Sequence, residues 1–152
     1  GFLYPFHVIP TPLMVGTTEL RDQLLKEAEV QHVMKMAQIA DIAMVGIGSL
    51  MPSSEFEDFG YNSQTELDQL KKHGAVGEMH GEYFNAAGEP IELEHHHRLI
   101  SIRLETLGKM KHVVGVAGGP DKVEALKAAL KGGFIHSLIT DEKTARSLLS
   151  SS

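Results

Sequence analysis

Two glycine-bearing turns, one lysine and one glutamate hold most of the chemical potential of this chain. Gly118-Gly119-Pro120-Asp121-Lys122 follows the apolar run His112 to Ala117 and precedes a helical pattern. Glycines let the backbone approach a ligand closely, and a helix start offers unpaired N–H groups with the positive end of the helix dipole. Lys122 adds a point charge in a first turn, where the dipole prefers acids. The combination suits a phosphate or another anionic group; the plainer reading is a strand-to-helix turn with a solvated lysine. Gly46-Ile47-Gly48-Ser49 closes a second apolar run, Ile42 to Val45. It lacks the third glycine and the ribose-binding acid of a dinucleotide fingerprint, which argues against a nicotinamide cofactor. Glu78 lies in Gly74-Ala75-Val76-Gly77-Glu78, beside a glycine-rich bend. A carboxylate there can accept hydrogen bonds from sugar hydroxyls; the plainer reading is an exposed acid on a strand edge.

Other residue clusters promise less. His95-His96-His97 invites a metal, but neighbouring side chains on an extended segment alternate faces and do not converge on one ion. The methionines, Met34, Met36 and Met44 among them, read as core filler. No Gly-x-Ser-x-Gly elbow, His-Glu-x-x-His or P-loop is present. The sequence therefore supports no enzyme, no metal site and no cofactor.

These residues need a frame, and the hydrophobic pattern supplies one. Tyr4 to Pro10 reads as a strand bounded by prolines. Thr17 or Thr18 is placed to cap a helix, with Glu19 in its first turn. Val30, Val33, Met34 and Ala37 then share one helical face. The run Ile42 to Val45 suits a buried parallel strand. The stretch Ser49 to Asn62 has no period and reads as a long acidic loop, a candidate moving part. Ser63-Gln64-Thr65-Glu66 is a capping box for a helix running to about His73. Met79 to Phe84 and Ile91 to Leu93 flank Asn85-Ala86-Ala87-Gly88, the pattern of a β-hairpin with Gly88 left-handed. Strands at Ile100 to Leu104, His112 to Ala117 and Phe134 to Ile139 follow. Between the last two lies a helix with Val123, Leu126 and Leu130 inward; after them, Thr140 caps a final helix, Asp141 to Leu149. Strand, loop, helix repeats, which predicts an α/β fold with a mainly parallel sheet.

Composition bounds the partners. The chain has 152 residues, 42% of them hydrophobic, enough for one domain with one core. The formal net charge is −6 and the 14 basic residues are scattered, so this chain is a poor duplex-binding surface. There is no cysteine, and no apolar run nears the roughly 20 residues of a membrane span. A cytoplasmic location with no membrane partner is expected.

Four segments, in order, resemble one family. Ala40-Asp41-Ile42-Ala43-Met44-Val45-Gly46-Ile47-Gly48 is similar to a strand and turn of the SorC-type sugar-responsive regulators. The stretches Gly74 to Gly88, Gly115 to Leu126 and Leu138 to Ala145 resemble three later segments of the same family. The resemblance implies a Rossmann-like fold related to phosphosugar isomerases and glucosamine-phosphate deaminases. It implies a sugar, sugar alcohol or sugar phosphate as effector, a homodimer or homotetramer, and operator DNA bound by a helix-turn-helix domain not in this chain. Carried over residue by residue, Lys122 matches a lysine that reaches the effector's phosphate and Glu78 an acid that contacts sugar hydroxyls. Gly46, Gly48, Gly118 and Gly119 match the turns around that pocket. Two departures stand out. Asn62 occupies a place where some members carry an arginine, which favours a neutral sugar or polyol. The family's effector domain also has a further strand-helix-strand region, with a glycine- and threonine-rich phosphate loop, before Tyr4.

Overall fold

A computed structural model describes residues 6–50 and 64–150. The expected α/β architecture is present. A parallel sheet has the order β1-β5-β6, from β1 (Ala43–Gly46), β5 (Val113–Val116) and β6 (Ser137–Ile139). A second, antiparallel sheet has the order β2-β3-β4, from β2 (Gly48–Ser49), β3 (Ala75–Met79) and β4 (Glu82–Asn85). The helices are α1 (Thr18–Leu24), α2 (Ala28–Gln38), α3 (Gln64–Lys72), α4 (Leu104–Leu107), α5 (Val123–Lys131) and α6 (Glu142–Ser150). Tight 3-10 turns span Glu94–Arg98 and Pro120–Lys122.

Local sequence accounts for much of this. The Thr17 hydroxyl accepts the Leu20 N–H at 3.1 Å and caps α1. Val30 and Val33 are buried on α2, and Val30 packs with Val15 and Ile100. On α5, Ala125, Leu126, Ala128 and Ala129 are fully buried, so the small residues let the helix sit close on the antiparallel sheet. The main core joins Val45 and Val113 of the parallel sheet, Met79 and Phe84 of the hairpin, and this face of α5. Phe134 and Ile135 enter the same core just ahead of β6.

Several expectations need correction. Residues 6–10 form no strand. Leu130 is 41% exposed, because the inward face of α5 is built from its alanines and Leu126. The segment before Leu104 is not a strand: Leu99 makes one isolated bridge to Met14, and Leu104 opens α4. The hairpin is present, but its main pairing is β3 with β4 across the two-residue turn His80-Gly81. Both turn residues have positive φ, 55° and 85°, as a tight hairpin turn requires. The expected turn at Asn85 to Gly88 exists, with Gly88 at φ 79°, yet beyond it Glu89, Pro90 and Ile91 return to β4 without forming a strand. The three consecutive histidines lie in a 3-10 turn and not an extended segment, and no metal-binding group of side chains occurs among the described residues. Most of the Ser49 to Asn62 loop, and the capping box that begins at Ser63, lie outside the described residues.

The parallel sheet shows the largest departure. Ile42 to Val45 was expected to be buried throughout, and instead alternates. Val45 is 5% exposed, whereas Met44 is 69% and Ile42 62% exposed. The register places Met44 level with Val114, and Val116 level with Ile139. Met44, Val114, Val116 and Ile139 therefore share one face, opposite the core. Val116 and Ile139 are also exposed, so no described element covers that face.

Candidate functional site

Parallel pairing of β1 with β5 brings the two glycine turns side by side. Gly46 is level with Val116, so Ile47-Gly48 and Ala117 to Gly119 leave the sheet together at its carboxyl edge. That edge is where open α/β sheets bind ligands. From the second turn, Lys122 reaches back to the first: its Nζ donates to the Ile47 carbonyl at 2.9 Å. Glu78 comes from β3, paired with Gly48 on β2. A side chain at position 48 would collide with the Glu78 carboxylate, so glycine is what allows this approach. Glu78 also accepts the Gly81 N–H at 3.1 Å. Five of the expected residues, Gly48, Glu78, Gly118, Gly119 and Lys122, thus meet through two adjoining turns. Gly46 is exposed at the end of β1, with no atom near its open side.

The electrostatics favour a shared polar site. Burial pushes the Glu78 carboxyl above its ordinary range, while the Gly81 N–H, His80 and Lys122 pull it back. Asp121 accepts a hydrogen bond from the Ser49 hydroxyl at 3.3 Å, tying the two turns a second time.

One expectation fails here. The Gly119 N–H is not open to a ligand. It donates to Asp141 at 3.1 Å and to the Thr144 hydroxyl at 2.9 Å. Asp141 also accepts from the Thr144 N–H at 2.9 Å and from its hydroxyl at 2.6 Å, so Asp141, not Thr140, caps α6. The Thr144 hydroxyl bond, foremost, holds the Asp141 carboxyl below its usual range. Gly119 meets this arrangement with φ 115°, a conformation that favours glycine. The sequence offered no signal for this lock beyond an Asp-x-x-Thr at a helix start.

Comparison with known proteins gives the family. Residues 2–150 match the family described as "Putative sugar-binding domain". The chain belongs to this family of SorC-type regulator domains. It is 43% identical over 145 residues to the transcriptional regulator LsrR of Enterobacter sp. (strain 638), covering 93% of this chain and 45% of that protein. It is 37% identical to the erythritol catabolism regulatory protein EryD of Brucella abortus (strain 2308), covering 95% of this chain and 46% of that protein. Among solved structures, a DeoR family transcriptional regulator from Listeria monocytogenes superposes with TM-score 0.86 at 29% identity, over 92% of this chain and 57% of that one. The full-length sorbitol operon regulator SorC from Klebsiella pneumoniae shares the fold, with TM-score 0.82 at 23% identity, over 91% of this chain and 44% of that one. The chain thus spans less than half the length of these two curated relatives. No helix among the described residues is long and apolar enough to cross a membrane.

Proposed function

We propose that this chain is the effector-sensing part of a bacterial transcription regulator, one that binds a sugar, sugar alcohol or sugar phosphate and releases it unchanged. The observation that carries this reading is the convergence of Lys122, Glu78 and the two glycine turns at the carboxyl edge of the parallel strands. Lys122, Glu78, Gly48 and Gly118 are the effector-binding residues, with Gly46 at the rim and Gly119 shaping the turn, its N–H being held by Asp141 and Thr144. The site's inventory favours hydroxyl groups at this end of the effector. It has one lysine, already donating to a carbonyl, against the carboxylates Glu78, Asp121 and Asp141. A phosphate would meet repulsion here, whereas a hydroxyl both donates and accepts.

The rest of the protein follows from the same reading. The uncovered face of Met44, Val116 and Ile139 supports a further α/β region packed against it, since parallel sheets are normally buried on both faces. Operator DNA is bound by a separate domain, the effector shifts a homodimer or homotetramer between two arrangements, and the protein is cytoplasmic. The test is to follow erythritol, sorbitol, D-ribose and D-ribose 5-phosphate with the intact protein by NMR and sedimentation. The sensor reading expects one to bind saturably, remain chemically unchanged and shift the sedimentation profile. Conversion to a product would instead make this an enzyme of the isomerase or deaminase type.

A further inference from the structure

Away from the sugar site, a cavity of about 360 Å³ lies between α1, α2 and the Leu99 to Thr106 segment. That volume lies within the range of small-molecule pockets. Three cations, Arg21, Lys35 and Arg103, line it, and no acid does, in a chain whose net charge is −6. The arginines are held through their Nε atoms. Arg21 donates to the His97 carbonyl at 2.9 Å and lies 3.3 Å from Asp22, while Arg103 pairs with the buried Glu82. Glu92 adds a looser contact at 3.7 Å to one terminal nitrogen of Arg103. Their terminal nitrogens make no hydrogen bond among the described residues, and Lys35 has no ion-pair partner there. Ser101 also lines the cavity. Met34 and Ile102 give the cavity apolar wall.

We propose that this cavity is a second ligand site, taking a small molecule through its carboxylate or phosphate group. Two braced guanidinium forks and an exposed lysine ammonium provide charge-assisted donors. None of Lys122, Glu78 or the glycine turns lines it, so it is distinct from the sugar site.

Calorimetric titration of the intact protein with citrate and with inorganic pyrophosphate tests this. At least one should bind; citrate alone marks a carboxylate site, pyrophosphate alone a phosphate site. Lys35→Glu, on an exposed helix position, should weaken binding about tenfold or more. Lys122→Ala should leave it unchanged. If circular dichroism shows Lys35→Glu to be misfolded, Lys35→Gln replaces it, with a smaller loss in the same direction. The proposal is overturned if neither probe binds at millimolar concentration, if folded Lys35 variants bind as tightly as the parent, or if Lys122→Ala abolishes binding.

Discussion

Lys122 is the residue on which the proposed sugar site turns, because its side-chain cation links both glycine turns. Glu78 accepts the Gly81 N–H, and burial raises its carboxyl above the ordinary range; in the proposed site it exchanges protein contacts for sugar hydroxyls. Glu78→Ala should weaken an effector that binds here by about 1.5–3 kcal/mol, the range for hydrogen bonds to charged groups, read by titration calorimetry. His96 gives a second prediction at this scale. It is 2% exposed, its Nδ1 accepts the Leu93 N–H at 3.3 Å, and its Nε2 has no partner among the described residues. Burial, then the neighbouring His95, Arg103 and His97, lower its pKa to about 4. The folded chain therefore binds fewer protons at His96 than the unfolded chain between its ordinary value of 6.5 and about 4. Stability is fully present above that window and is lost as pH falls through it, by roughly 2–3 kcal/mol at the bottom. Denaturant midpoints from pH 7 to pH 4 should fall more steeply for the parent chain than for His96→Phe; equal slopes would contradict this.

At the scale of elements, what was legible in the sequence was what is local. Thr17 caps α1 from three residues away, Gly88 takes its left-handed turn, and Val30 and Val33 mark the buried face of α2. The strand-turn-helix around Gly118 to Lys122 was readable because its parts are contiguous. The lock on Gly119 was not, because Asp141 and Thr144 lie 22 and 25 residues further along the chain. The same holds for Lys122 and the Ile47 carbonyl, 75 residues apart. The Ile100 to Leu104 segment misled for a related reason. Its apolar residues suit a strand, but the buried Glu82 carboxylate accepts the Leu104 N–H at 2.6 Å and starts a helix instead. Thr144 ties α6 to the site, and it is 1% exposed. Thr144→Val keeps the shape but leaves the Gly119 N–H and the Asp141 carboxylate short of a partner. It should destabilise the chain by about 1–3 kcal/mol in chemical unfolding, with Thr144→Ser recovering most of the loss.

At the scale of the whole molecule, the two faces of the parallel sheet differ. One joins α5 and the hairpin in a single core, while the other presents Met44, Val116 and Ile139. If a further region of a longer protein covers that face, Met44→Lys should lower the unfolding temperature of the intact regulator by several degrees, as about 1–3 kcal/mol lost at a buried site would. The same change should leave this chain, studied alone, nearly unaffected. A matching small effect in both would place the covering region elsewhere. The central claim, that this carboxyl edge senses a sugar, is tested most directly by thermal unfolding of the intact protein and its Lys122→Ala variant with erythritol, sorbitol, D-ribose and D-ribose 5-phosphate. A ligand at 100 times its dissociation constant adds about 2.7 kcal/mol, a shift readily seen. The account predicts that at least one of these raises the parent's midpoint and that the rise shrinks or vanishes in Lys122→Ala. Equal rises in both proteins, or none in the parent, would contradict it.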